Sequence, residues 1–366
     1  MKVGAKILVA PLDWGLGHAS RCVPVVRFFI DNGFEVVLGG GGDSLRYLCA
    51  RFPELPFVEL PTARMKYGKR GMVSLPFLFS MLSFASNIRR EHRALEKIIA
   101  DYSIDYVFSD NRLGLYSEAV PSFYMTHQLN FDNGFLNRSA ARMMKRLHLR
   151  YINKYRYSVV PDVEGEMSLS GKMSDTDLTV KHIGPLSRFY GMEVAKLNGE
   201  FDLLLLSGVE PQRTVLEKIF VEKYSAMPET YLHIIRGVAG EEGLSLPSNI
   251  TSENNPSDER IASLIVSARR VFCRSGYSTL CDLAALGRRA VLIPTPKQSE
   301  QEYLAEHFMS KFGFVAYRQE EMQNVDFSKI AYDASWNYNY SSCIYNLLNN
   351  YLSQDVFLSF SILNEY

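Results

Sequence analysis

Cysteine is scarce in this chain of 366 residues. Cys22, Cys49, Cys273, Cys281 and Cys343 are odd in number, widely spaced and never form a C-x-x-C pair. That usage argues against a disulfide framework or a zinc ribbon and for a reducing compartment. No uncharged apolar run reaches the length of about 18 residues that a membrane span requires. The first apolar run, Lys6–Ala10, leads straight into a glycine-bearing loop. It lacks the longer apolar region and small-residue cleavage site of a signal peptide, so it reads as a first buried strand. No internal repeat with a period of about 20–50 residues and no low-complexity tract is present, which excludes a solenoid. Net charge is absent too, with 40 Lys+Arg against 40 Asp+Glu. With no known binding module in the sequence either, a nucleic-acid partner is not expected.

Acid is also missing from one long stretch. Between Asn133 and Pro161 there is no Asp or Glu, while Arg138, Arg142, Arg146, Arg150 and Lys154 recur every fourth residue. On a helix this spacing makes one slowly winding basic stripe. Like charges at i, i+4 repel, so the stripe calls for anionic partners: lipid headgroups, a lipid-phosphate acceptor, or acids elsewhere in the fold. Residues 1–160 hold 22 Lys+Arg against 13 Asp+Glu, and the remainder 18 against 27. Two halves of opposite sign imply different partners for different domains. Met72–Ser86 is apolar and is flanked by Lys66, Lys69, Arg70, Arg89, Arg90 and Arg93. It reads as a core helix, or as an interfacial segment that helps the stripe dock on a membrane.

What is present is an ordinary globular balance, 47% hydrophobic and 22% charged, in a chain long enough for two domains. Short apolar runs alternate with helix-length segments: Lys6–Ala10, Phe34–Leu38, Phe57–Leu60, Ile104–Phe108, Ser122–Met125 and Ser158–Pro161. A second series follows at Phe201–Leu206, Tyr231–Ile235, Arg270–Cys273, Ala290–Pro294 and Phe314–Tyr317. Runs of this kind read as buried parallel strands in α/β layers. Gly184-Pro185, Gly191 and Asn198-Gly199 break the two series. The expected organisation is an N-terminal domain over residues 1–183, a linker over 184–200, a C-terminal domain over 201–350 and a helical tail over 351–366.

Three segments carry chemistry. The first is Gly15-Leu16-Gly17-His18-Ala19-Ser20-Arg21, between strand one and a helix expected around Val23–Ile30. It half-matches the dinucleotide fingerprint G-x-G-x-x-G, but Ser20 stands at the third glycine. Strand two runs into Leu38-Gly39-Gly40-Gly41-Gly42, where an NAD site would carry an acid. Gly15 and Gly17 let the backbone approach an anion. His18, at a helix start after a parallel strand, titrates near neutrality and is a candidate base for an attacking hydroxyl. Asp110, after the strand Ile104–Phe108, is either the orienter of His18 or the alternative base. The second segment is Arg274-Ser275-Gly276-Tyr277-Ser278-Thr279-Leu280-Cys281-Asp282. A strand, a Ser-Gly turn and a helix start capped by Ser278 or Thr279 would hold a diphosphate on backbone N–H groups. Asp282 then lies where a carboxylate meets ribose hydroxyls, and Gln298, Gln301 and Glu302 suit sugar hydroxyls. The third is Ser207-Gly208, after the first strand of the second half, with Arg213 and Arg236 as candidates to neutralise phosphate charge. No metal site and no cofactor are expected.

The run from Arg274 to Tyr303 resembles the donor site of glycosyltransferase family 28, the MurG-like UDP-sugar transferases. Asp282 falls on the family's ribose-binding acid, where the family pattern has Glu. Gln301 falls on the first glutamine of a Gln-Gln pair, and Glu302 replaces the second. Gly15–His18 is similar to the family's N-terminal glycine loop. Thr126-His127-Gln128 is similar to a His-Glu-Gln-Asn segment without reproducing it. The resemblance implies a GT-B fold: α/β, with two Rossmann-like doubly wound domains facing across a cleft. It further implies inverting, metal-independent transfer from a UDP-sugar donor to a hydroxyl acceptor. The acceptor, lipid-linked or another glycan, would meet the first domain at Thr126, His127, Gln128 and the stripe Arg138, Arg142, Arg146 and Arg150, at the cytoplasmic face of a membrane. The competing expectations are a UDP-N-acetylglucosamine 2-epimerase and a non-catalytic nucleotide-sugar-binding subunit.

Overall fold

The computed structural model describes residues 4–62, 75–130, 138–197, 200–208, 210–237, 246–330 and 333–338, with side chains described for all of these except 75–84 and 138–141. The chain divides into two compact units, the first reaching Leu186 and the second running Ser187–Tyr340. That boundary falls inside the stretch read as a linker. The tail 351–366 and residues 72–74 of the apolar segment Met72–Ser86 lie outside the described residues, as does the side chain of Arg138.

The first unit runs β1 (Lys6–Pro11), α1 (Leu16–Asp31), β2 (Glu35–Gly40), α2 (Gly42–Arg51), β3 (Phe57–Glu59), α3 (Leu75–Tyr102), β4 (Tyr106–Asp110), β5 (Ser122–Met125), α4 (Arg138–Ile152), β6 (Tyr157–Val160) and β7 (Lys181–His182). Among the described residues its strands form one parallel sheet of order β3-β2-β1-β4-β5-β6-β7. A strand buried on both faces must be apolar at every position, and β1 shows why. Ile7 and Val9 pack under α1 and α2 with Val26, Phe29 and Leu48. Leu8 and Ala10 point the other way, onto Leu95 and Ile98 of α3.

The second unit runs β8 (Phe201–Leu205), α5 (Gln212–Ser225), β9 (Tyr231–Ile235), β10 (Ile250–Glu253), α6 (Asp258–Ser267), β11 (Arg270–Cys273), α7 (Tyr277–Ala285), β12 (Val291–Leu292), α8 (Ser299–Phe312) and β13 (Val315–Ala316). Its sheet order, β10-β9-β8-β11-β12-β13, repeats the order of the first six strands of the other unit. Both units are Rossmann-like. In each, the order reverses beside the first strand, at β1/β4 and at β8/β11, where open α/β sheets receive ligands at the strands' carboxyl ends.

Two strands, β7 and β10, were not expected from the sequence. Both are edge strands, and β10, with Thr251, Ser252 and Glu253, lacks the apolar run that marks a central strand. α1 also starts earlier than expected, at Leu16, so His18 lies inside its first turn.

Candidate active site

In the first unit β1 and β4 end side by side, with Pro11 opposite Asp110. Gly15, at φ 106, turns the chain into α1 and leaves the helix start without a side-chain cap. His18 and Arg21 are three residues apart and share one helix face. Both reach Asp110, which is fully buried. Arg21 Nε donates to Asp110 Oδ2 at 2.8 Å, and Arg21 Nη2 donates to Oδ1. His18 Nδ1 lies 3.1 Å from Asp110 Oδ2 and 2.8 Å from Arg21 Nη2. Arg21 Nη1 lies 2.9 Å from His127 Nδ1. A guanidinium only donates, so His127 accepts there and keeps its proton on Nε2.

The electrostatics follow from this packing. Burial works to raise Asp110, but Arg21 and His18 more than offset it and bring its pKa down to about 2. Burial and the Arg21 charge lower His18 below its ordinary value, against the pull of Asp110. His18 is therefore neutral at neutral pH, the form a general base needs. Arg21 is the member of the site that the sequence reading passed over; its signal was the three-residue spacing from His18. His127, expected at the acceptor, belongs to this network. Thr126 is buried and receives the Gln128 N–H on its own hydroxyl at 3.1 Å, so its role is to shape the turn.

In the second unit, loops after β8, β11 and β12 meet. α7 is capped by Gly276 rather than by Ser278 or Thr279, which lie in its first turn, and no side chain occupies the cap. Ser275 is buried and donates to the Gln301 carbonyl at 2.7 Å. Gln301 Oε1 accepts from the Thr295 N–H at 2.8 Å, and Glu302 Oε1 accepts from the Lys297 N–H at 3.0 Å. Gln298 caps α8 by position, without a side-chain bond. Gly208 holds the β8 loop at φ +95, a conformation that favours glycine, with Thr295 Oγ1 at ordinary contact distance. That hydroxyl is buried and has no hydrogen-bond partner among the described residues. It is the second residue the sequence reading missed.

Four expected donor contacts are corrected by their surroundings. Arg274 is fully buried, and its nitrogens go to the carbonyls of Ile293, Pro294 and Gln212 and to Gln319 Oε1. It braces the loops from beneath and cannot touch a ligand. Arg213 is paired with Glu210, and Arg236 with Glu217 at 2.7 Å, so neither guanidinium is a spare positive charge. Asp282 is 6% exposed. It accepts from Ser187 Oγ at 2.7 Å and lies 3.3 Å from Arg188 Nε, so both of its carboxylate oxygens are already engaged. Burial raises its pKa to about 6.

Residues 213–330 match the family model described as the Glycosyltransferase family 28 C-terminal domain. An uncharacterized glycosyltransferase of Methanosarcina acetivorans is 24% identical over 321 residues, covering 81% of this chain and 79% of that one. The UDP-N-acetylglucosamine--N-acetylmuramyl-(pentapeptide) pyrophosphoryl-undecaprenol N-acetylglucosamine transferase of Lawsonia intracellularis is 24% identical over 327 residues, covering 85% and 83%. The chain is a GT-B glycosyltransferase, similar to family 28. Solved structures agree on the fold. The calicheamicin glycosyltransferase CalG4 superposes with a TM-score of 0.60 at 15% identity, covering 88% of this chain and 87% of that one. The kitacinnamycin glycosyltransferase gives 0.60 at 15%, covering 90% and 88%.

The basic stripe of this glycosyltransferase lies on α4, where Arg142, Arg146 and Arg150 are exposed. The opposite face buries His148 and Ile152. Asp175-Thr176-Asp177 has the spacing of a metal-binding Asp-x-Asp pair, which the sequence reading overlooked. Among the described residues no group of three or more His, Cys, Asp and Glu side chains comes together to hold a metal. None of the described helices is long and apolar enough to cross a membrane.

Proposed function

We propose that the protein transfers a sugar, an N-acetylhexosamine or hexose, from a UDP-linked donor to an acceptor hydroxyl with inversion and without a metal. The observation that carries this reading is the His18–Asp110 pair at the carboxyl edge of β1 and β4. The base-competent tautomer has Nδ1–H donated to Asp110 Oδ2 and Arg21 Nη2 spent on Asp110 Oδ1 in place of His18. His18 Nε2 then takes the proton of the acceptor hydroxyl as the glycosidic bond breaks. The second unit holds the nucleotide. The uncapped first turn of α7, with Ser278 and Thr279, offers N–H and O–H donors to the diphosphate. Gly208 and the unpartnered Thr295 hydroxyl face the same phosphates, and Gln298, Gln301 and Glu302 bound the sugar.

The name of the Lawsonia relative specifies a pyrophosphoryl-undecaprenol acceptor. The exposed α4 arginines support a similar lipid-linked acceptor here, met at the cytoplasmic face of a membrane. Each basic side chain at such a surface contributes about 1 kcal/mol.

A thermal-shift screen over nucleoside diphosphates tests the donor. UDP at a hundred times its dissociation constant should add about 2.7 kcal/mol of stability, and His18→Ala should keep this shift while losing transfer. A shift with another nucleotide and none with UDP overturns the assignment. Incubation with donor alone separates transfer from 2-epimerisation, which would convert the donor sugar without any acceptor.

A further inference from the structure

A chain of hydrogen bonds reaches the turn behind Asp110 from α4. It begins with His148 on the inner face of that helix, passes through Tyr124 of β5 and ends on Asn111, the residue directly after Asp110. Tyr124 Oη lies 2.8 Å from His148 Nε2 and 2.9 Å from Asn111 Oδ1, and both rings are buried.

The chemistry of the groups sets the direction of each bond. The side-chain carbonyl oxygen of Asn111 only accepts, so it takes the single Tyr124 proton, and the Tyr124 oxygen accepts from His148 Nε2–H. Burial lowers the His148 pKa to about 4. Burial first, then Tyr155 and the Asp110 carboxylate, hold the Tyr124 phenol well above its ordinary value. Both groups are therefore neutral at neutral pH, with the imidazole proton on Nε2.

Asn111 is a residue that has to be held. Its φ is 61, in the left-handed region that strains a non-glycine residue and that asparagine enters with help from side-chain hydrogen bonds. Such a conformation persists where the surrounding structure enforces it. The Asn111 N–H goes to the Met125 carbonyl at 3.0 Å, and its side chain goes to Tyr124, one residue earlier on β5. Tyr155, its ring 4.9 Å from that of Tyr124, accepts from the Leu115 N–H at 3.0 Å and donates to the Arg112 carbonyl. On the other side of the turn, the Asp110 carbonyl accepts from the Leu12 N–H at 2.9 Å. The backbone is thus fixed on both sides of the carboxylate that His18 faces at 3.1 Å.

We propose that Tyr124 and His148 are positioning residues for the base. They hold Asn111 in its left-handed turn, and through it they keep the Asp110 carboxylate where His18 meets it. They act on Asp110 through the backbone that joins it to Asn111. The proposal rests on the reading of His18 as the base.

Long-range ¹H–¹⁵N spectra of the full chain, labelled on histidine, follow His18 and His148 separately. In wild type His148 should show the Nε2–H tautomer at neutral pH. His18 is faced by Arg21, Asp110 and His127, and of these only Asp110 pulls its pKa up. Loosening the carboxylate therefore lets His18 fall. Tyr124→Phe, which removes one oxygen and keeps the ring, should lower the His18 titration midpoint by about half a pH unit or more, as should His148→Leu. His148→Gln restores an N–H donor and should recover most of the shift. Asn111→Ala, at a partly exposed position, should reproduce it, and Tyr124→Phe should add nothing in that background because the chain is already cut. An unmoved His18 midpoint in Tyr124→Phe or in Asn111→Ala, whatever the urea midpoint does, means that these residues only pack the core and overturns the proposal. Shifts that add in the double variant overturn it too, since the hydroxyl then acts by another route. If His18→Ala releases UDP from UDP-N-acetylglucosamine as fast as wild type, the base reading fails, while the positioning of Asp110, read on the spectra, stands.

Discussion

Replacing Arg21 with Met tests the electrostatic design of the first unit. Arg21 is 2% exposed and Asp110 fully buried, so Met fills much of the volume while leaving a carboxylate in the core with its cation gone. Breaking a buried pair from one side costs about 3–5 kcal/mol. The same guanidinium lies 2.8 Å from His18 Nδ1 and disfavours the imidazolium. A unit charge at about 4 Å with an effective dielectric of 20 is worth about 4 kcal/mol, which caps the change at about three pH units. His18 should therefore titrate about one to three units higher in Arg21→Met than in wild type. Asp110 should move up from about 2 toward the ordinary range. In wild type that depressed value gives stability that is present above about pH 4 and lost as pH falls toward 2. It amounts to about 2.5 kcal/mol, and the variant should lack most of it. Long-range ¹H–¹⁵N correlation spectra of histidine-labelled protein read both the titration and the tautomer, and urea denaturation between pH 2 and 7 reads the stability. Arg21→Lys keeps a charge and should fall between the two. If His18 titrates identically in wild type and Arg21→Met, or if the urea midpoint does not move, Arg21 does not govern the pair.

Other changes probe separate parts. Asp282→Asn removes a group whose folded pKa, about 6, lies above the ordinary 3.8. Its contribution is complete below pH 4 and lost as pH rises through 6, so wild type should lose about 3 kcal/mol across that window and the variant should not, as urea midpoints will tell. Thr295→Val deletes a buried hydroxyl with little change of shape, and calorimetry should show UDP bound about tenfold more weakly at an unchanged melting temperature. Gly114→Ala would place a Cβ 2.5 Å from Glu91 Cβ and from the Ile88 carbonyl; overpacking of this kind costs about 1–3 kcal/mol in a denaturation curve. Changing Arg142, Arg146 and Arg150 together to Glu should abolish sedimentation with anionic vesicles at low salt if α4 meets the membrane.

The sequence is most legible where the physics is local. Both faces of β1 are covered, so Ile7 to Ala10 had to be uniformly apolar, and the run announced a central strand. The loop after it announced His18 because helix starts after parallel strands face ligands. Long-range pairing left no such mark. Arg236 looked like a phosphate ligand, since nothing local reveals that Glu217, nineteen residues earlier, neutralises it, whereas the partner of Arg213, Glu210, stands only three residues away. Asp282 sits at the spacing of a ribose acid, yet Ser187 and Arg188, nearly a hundred residues earlier, occupy it. Thr295 carried no signal at all, because its significance is a missing partner.

Arg274 has a consequence beyond bracing loops. Burial lowers its pKa to about 10, so it remains a cation at neutral pH, held by carbonyl dipoles and, among the described residues, by no carboxylate. The second unit thus carries a buried positive charge at the end of β11 that meets Glu320 through space and no carboxylate by a hydrogen bond among the described residues. On the donor reading proposed above, a bound diphosphate would add to the neutralisation of that charge without touching it. Since the charge is shielded from water, added salt should weaken nucleotide binding far less than it would if the attraction came from arginines on the surface.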